Sequence, residues 1–326
     1  MSGLRRALGF GSLSFYGIGL ILGAGVYSIL GEAAGAAGSA LWLAFLLGSV
    51  VALLTGLSYA ELATMHPKAG AEYVYLEEAW PKASWLRAMV GWTLAAAGTA
   101  MAATVALAFA GYASLFVGAP AWILALALLA AVGVLNVVGI REAAWANVLF
   151  TLAEAAGLVA LIVVGATRPG FGEAFLAAPH PGVLAGAGLV FFAFLGFEDV
   201  ANLAEEARRP GRDLPRAILT AVGVSSALYV LTAAASVALL DPARLAGSPS
   251  PLADAMREGA PALAGALGGV ALFATANTAL ISVTAVSRLL FGMARGGDAP
   301  PALARTLPRR ATPALGVAAA CAGAAA

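Results

Sequence analysis

The chain has 326 residues, of which 61% are hydrophobic and 11% charged, whereas a soluble domain carries about 45–50% apolar and about 25% charged residues. That composition fits a lipid solvent, and a net charge of +1 with no long basic block excludes a nucleic-acid-binding surface. The single cysteine, Cys321, excludes an intramolecular disulfide.

In hydrocarbon every backbone polar group must find its partner inside the protein, and no stretch alternates with the period of a barrel strand. The expected class is therefore an all-α integral membrane protein. Arg5 and Arg6 precede an apolar run in the manner of a signal peptide, but the run continues to Leu30 without a small-residue cleavage pattern, so it reads as a retained first span. At about 20 apolar residues per crossing, spans are expected near 10–30, 40–60, 86–116, 121–140, 143–166, 183–204, 216–240 and 265–292. A ninth begins near Thr312 and is short of a crossing where the sequence stops, so we expect the record to continue beyond Ala326. Segment 61–86, with His66, Lys68, Glu77, Glu78 and Lys82, reads as a loop with some amphipathic helix. With these spans, only Arg168, Arg244 and Arg257 of the 18 lysines and arginines fall on the far side of the membrane. The positive-inside rule then predicts a multi-pass protein of the cytoplasmic membrane with a cytoplasmic N-terminus.

The first span contains GIGLILGAGVY, with glycines at 17, 19, 23 and 25. Interior glycine costs about 1 kcal/mol relative to alanine, so this is a poor recipe for a straight helix. The glycines allow a break at Gly23-Ala24-Gly25, tolerated in mid-membrane only where the backbone lines a cavity, and the half-helix that follows suits a carboxylate. Gly19-xxx-Gly23 also reads as a helix-packing face.

In the fifth span Glu154 stands alone at mid-membrane depth, either as a proton-binding group or hydrogen-bonded to hydroxyls such as Thr151, Thr278 or Ser282. The sixth span reads LVFFAFLGFEDVANLAEEARRPGRDLPRAI: Gly196 interrupts it and Glu198 and Asp199 follow at once. Carboxylates within a span normally face a cavity or a solute path, although the span could end earlier and leave them solvated. Two Gly-interrupted spans, five apart, point to an inverted repeat with a site between its halves. The run Glu205-Glu206 with Arg208, Arg209, Arg212 and Arg216 reads either as an ion-paired inner gate or as solvated anchors.

Together, GIGLILGAGVY, TGLSYAEL with HPKAGAEYVY, FFAFLGFEDVANLAEEARRPGRDLPRAI and SRLLFGMARGGDAPPALA resemble the amino acid-polyamine-organocation (APC) superfamily of transporters, from about residue 8 to the end. The resemblance implies a LeuT-like inverted-repeat helical bundle with helices 1 and 6 broken around the substrate, here as one transporter domain with a first five-helix repeat over 1–166 and an incomplete second over 183–326. It also implies that the substrate carboxylate meets the N–H groups of Ala24 and Gly25, with Gly23 giving the turn. The ammonium would meet the carbonyls of Ile21, Phe192 and Leu195, beside Gly196, with Phe192 as an aromatic gate. Glu198 matches a carboxylate tied to coupling in some members, and Glu154 stands where several proton-coupled members carry a lysine.

The expected function is secondary active transport of small neutral amino acids, proton-coupled or by exchange with a counter-substrate, because few charged side chains are available to read a charged substrate. A polyamine or cationic amino-acid carrier is the alternative within the fold, and a transport-inactive sensor or partner-binding membrane protein the alternative outside it. No HExxH, P-loop, Cys/His pair or dinucleotide fingerprint occurs, so neither enzyme chemistry nor a metal or cofactor is expected.

Overall fold

The structure of the protein is a computed structural model that describes residues 4–114, 117–248, 250–308 and 310–326. Its helices are α1 (Phe10–Leu22), α2 (Ala24–Ala37), α3 (Leu41–Met65), α4 (Ala71–Ala79), α5 (Ser84–Ala113), α6 (Ala121–Val138), α7 (Ile140–Ala166), α8 (Gly170–Ala174) and α9 (Pro181–Phe194). A 3₁₀ segment (Phe197–Leu203) follows, then α10 (Pro210–Leu239), α11 (Pro242–Ala246), α12 (Pro251–Gly259), α13 (Pro261–Gly296) and α14 (Ala314–Ala325). Among the described residues there is no β-strand, only a parallel bridge between Leu8 and Ala207.

Among the described residues eight helical stretches are long and apolar enough to cross a membrane, and each overlaps one of the eight expected spans. The long loop after the second span carries the anticipated short helix, α4, although α3 runs on to Met65 before the chain turns at Gly70. The ninth apolar segment is α14, 12 residues packed against α13, α6 and α5.

Burial separates the helices into two kinds. Every residue of α13 from Ala274 to Ala294 is buried, including Arg288, which marks a helix surrounded by protein on all sides. α1 is buried from Leu13 to Leu22 with Phe15 as the exception, and lies against α10, α7 and α13. By contrast α5, α6 and α7 turn Leu107, Trp122, Val134 and Leu149 outward, all at least 60% exposed, the face that hydrocarbon would cover. The outer helices enclose α1, the 3₁₀ segment and α13.

Candidate functional site

The first span breaks at Gly23, whose ψ of −150° interrupts the α path between α1 and α2. Side chains are excluded at that break and one turn before it. A Cβ at Gly19 would run into Thr151 and lie 2.7 Å from both Asn147 and Asn277, and one at Gly23 would run into Thr278. The two glycines are thus a close-packing face and a break at once, with Gly19 against α7 and α13 and Gly23 ending the helix. α2 begins at Ala24, which places the positive end of its backbone dipole at this point.

The sixth span breaks at Leu195-Gly196. Leu195 is extended (ψ 143°) and Gly196 takes φ +118°, a left-handed conformation that a Cβ disfavours, and the space a Cβ would need is filled by Leu20. The turn is capped from within, because the Gly196 N–H donates to Glu198 Oε2 at 2.8 Å. The two breaks face each other: a Cβ on Gly25 would sit 3.0 Å from Ala193 Cα.

Between them lies a cavity of about 560 Å³, within the range of small-molecule sites. Of the residues expected to bind substrate, Ile21, Ala24, Gly25, Phe192, Leu195 and Gly196 line it, as does Glu198; Gly23 sits behind the wall. Leu20, Leu94 and Val105 give it apolar walls, Ala97, Gly98 and Ala108 leave room, and Thr278 and Ser282 contribute hydroxyls from α13. Ser282 Oγ is buried without a partner.

The carbonyls expected to receive an ammonium are not equivalent. Ile21 O already accepts from the Tyr229 hydroxyl, which also lies 3.4 Å from Ala193 O, so one buried phenol from α10 ties both broken spans together. Its ring packs edge-on against Phe194 and Phe45. Phe192 O accepts from the Leu195 N–H at 3.3 Å. Each carbonyl keeps a second lone pair. Nothing local in SALYVL marks Tyr229, because its partners are distant in sequence.

Glu154 does not reach the cavity. It is fully buried between α7 and α13, where Asn277 Nδ2 donates to its Oε1 at 3.0 Å and Oε2 has no partner. Asn277 also donates to Thr151 Oγ1 (3.2 Å) and accepts from Asn147 (2.9 Å). Thr278 and Ser282, two of the hydroxyls expected to serve Glu154, face the cavity instead, and Thr151 reaches it only through Asn277.

Further polar residues line the cavity: Glu72 from α4, Thr104 from α5, and Asp199 and Asn202 from the 3₁₀ segment. Glu72 Oε1 accepts from Tyr59 OH at 2.9 Å, and Asp199 Oδ1 from Asn202 Nδ2 at 3.1 Å. α4 is fixed in place by Tyr73 OH donating to Asp298 Oδ2 (2.7 Å) and by Arg87, which bridges Asp298 and Glu77. Burial would raise the Asp298 carboxyl, but the hydrogen bonds from Arg87 and Tyr73 outweigh it and hold it below the usual carboxylate range.

Past the second break the chain is locked to α13. Glu206 and Arg288, both essentially fully buried, form a bidentate pair (Nε–Oε2 3.0 Å, Nη2–Oε1 2.9 Å), and Glu205 pairs with Arg295 at 2.6 Å. The partners of the Glu205-Glu206 run are therefore arginines of α13 and not the adjacent Arg208, Arg209, Arg212 and Arg216. Of those, Arg209 reaches Asp213 and Arg208 donates to Ala7 O. The amides of Ala7 and Leu8 donate to Glu206 O, strapping the N-terminal segment across the same end.

Comparison with known proteins places this arrangement. The amino acid permease family matches residues 12–326. An uncharacterized transporter of Mycobacterium tuberculosis is 36% identical over 319 residues, covering 95% of this chain and 70% of that protein. A branched-chain amino acid permease of Bacillus subtilis is 28% identical, covering 95% and 71%. Among solved structures, MhsT in complex with L-phenylalanine superposes with a TM-score of 0.69 at 17% identity, covering all of this chain and 79% of that one, a likeness of fold. The chain belongs to the amino acid permease family of the APC superfamily, an all-α membrane transporter built around two broken helices.

Proposed function

We propose that the protein carries amino acids across the cytoplasmic membrane by secondary active transport, with alternating access around the breaks in the first and sixth spans and the N-terminus in the cytoplasm. The observation that carries this reading is the meeting of the two interruptions across one cavity, with Gly25 against Ala193. The substrate carboxylate sits at the N-terminus of α2, at Ala24 and Gly25, where dipole and backbone favour an anion. Its ammonium takes the remaining lone pairs of Ile21 O and Phe192 O together with Leu195 O. Phe192, 52% exposed at the cavity edge, closes over it. Proton coupling at Glu154 or Glu198, or exchange with a counter-substrate, drives the cycle.

The expectation of a neutral side chain rested on the scarcity of charged groups. The cavity wall gathers three carboxylates, which removes that argument; what still supports a small substrate is the apolar, tightly bounded space beside the breaks.

Uptake of labelled amino acids into proteoliposomes tests the reading. Gly25→Val should abolish uptake while the protein still inserts and remains monodisperse in detergent. Unchanged uptake refutes the assignment, and a wild type that binds but never transports favours a sensor.

A further inference from the structure

The N-terminal strap is held at both ends. Leu4 is buried and packs with Ala69 and Phe291, while the backbone of Ala7 and Leu8 pairs with Glu206 and Arg208. Between these anchors Arg5 and Arg6 are exposed. The pairing sets them beside Arg208 and Arg209, some 200 residues further along the chain. α10 begins directly afterwards and adds Arg212 and Arg216, both exposed and one turn apart on the same face.

This end of the bundle therefore carries a surplus of positive charge that the fold does not neutralise. Among the described residues the one ion pair that any of these six arginines makes is Arg209 with the buried Asp213, at 3.6 Å. The acids of the adjacent run are engaged elsewhere, Glu206 by Arg288 and Glu205 by Arg295. Glu61, exposed near the end of α3 where that helix packs on α10, pairs with none of them. Arg208 donates its Nε to Ala7 O and keeps the outer nitrogens of its fork.

The depth of the patch fixes what these charges face. The first membrane span starts at Phe10 and the seventh at Pro210, so Arg5, Arg6 and Arg208 stand just outside a span. Arg212 and Arg216 are its third and seventh residues, within the first two turns of α10. Phe10, 41% exposed, presents an apolar ring at the start of the first span, where lipid would cover it. Exposed arginines at that depth reach toward the headgroup layer, and a guanidinium fork matches phosphate oxygens with two parallel hydrogen bonds.

We propose that Arg5, Arg6, Arg208, Arg212 and Arg216 form a docking surface for the headgroups of anionic phospholipids, and that a lipid bound there ties the N-terminal strap to the start of α10. Placing that lipid in the cytoplasmic leaflet rests on the orientation given above; the surface itself does not depend on what the cavity carries. Because the strap is hydrogen-bonded to the backbone of Glu206, the lipid stabilises the end of the molecule that the Glu206–Arg288 pair holds.

Thermal unfolding of the purified full chain in a neutral detergent tests this without a transport assay, so it stands or falls separately from the assignment of the cavity. Added phosphatidylglycerol should raise the midpoint by several degrees, phosphatidylcholine with the same acyl chains should not, and high salt should shrink the rise. Replacing the set by Arg5→Gln, Arg6→Gln, Arg212→Gln and Arg216→Gln should remove the rise. Arg141→Gln, an exposed arginine at the start of α7, should leave it intact. Equal midpoints in the two lipids overturn the proposal, and so does a rise reproduced by inorganic phosphate alone, which would make the patch an anion site and not a lipid surface. A rise that survives the fourfold substitution, or that Arg141→Gln removes as completely, also overturns it by showing that the attraction is spread over the whole face. The comparison of the two lipids needs no variant, so a substitution that fails to fold does not shelter the proposal.

Discussion

Two buried side chains behind the cavity wall do different work. Glu154 has one oxygen fixed by Asn277 and one without a partner, in a network that reaches α1 where Thr151 Oγ1 lies 3.4 Å from Phe15 O. A proton gained or lost there changes the charge beside the first broken span by one unit without touching substrate. Uptake should therefore rise with an inward proton gradient at fixed membrane potential, and Glu154→Gln should remove that rise while leaving substrate affinity near wild type. Glu198→Gln, measured in parallel, separates the two carboxylates, and a response to the gradient that survives both substitutions rules them out as proton carriers. For Tyr229, loss of the hydroxyl alone leaves the ring packed against Phe194 and Phe45 but strips Ile21 O of its donor. Tyr229→Phe should lower stability by about 1–3 kcal/mol, the cost of an unsatisfied buried carbonyl. Thermal unfolding in detergent reads this, and an unchanged midpoint contradicts it.

At the scale of elements, the breaks are where residue chemistry sets the backbone. Gly196 stands at φ +118° with Leu20 in the place of a side chain, so Gly196→Ala combines strain of about 1–3 kcal/mol with a clash between the two broken spans. It should reduce substrate binding at least tenfold while the protein still inserts, as equilibrium binding would show; wild-type affinity would mean that the turn does not shape the site. These breaks were legible in the sequence because glycine in mid-span is costly and therefore informative, and the eight spans were legible because a crossing needs a fixed length of apolar chain. Glu72 was hidden: it sits in a loop segment, AGAEYVY, and reaches the cavity only because Arg87 and Tyr73 pin α4 to Asp298, more than 200 residues away in sequence. Tyr229 and Asn277 were hidden for the same reason, since neither stands out within its own helix. The acidic run at Glu205-Glu206 was visible, but its partners were not, because Arg288 and Arg295 come from α13, some 80–90 residues further along the chain.

For the molecule as a whole, transport needs the ends of the cavity to open in turn, and one end is held by the Glu206–Arg288 pair beneath the N-terminal strap. Removing one partner of a fully buried pair leaves an uncompensated charge, at about 3–5 kcal/mol. Glu206→Gln should therefore depress the unfolding midpoint strongly, and Glu206→Leu combined with Arg288→Met should recover much of the loss, because an apolar pair carries no desolvation penalty. Equal midpoints for the single and double variants would contradict this, because the strap binds the Glu206 backbone carbonyl, which every variant keeps.

The central claim, that the facing breaks hold an amino acid by its carboxylate at the N-terminus of α2, is tested most directly by equilibrium binding of one amino acid and its carboxamide to the purified protein. The two ligands share side chain and ammonium and differ only in the negative charge. The account predicts that the amino acid saturates the protein, that the carboxamide binds at least tenfold more weakly, and that Gly25→Val abolishes binding of the amino acid. Equal affinity for the two ligands would contradict it.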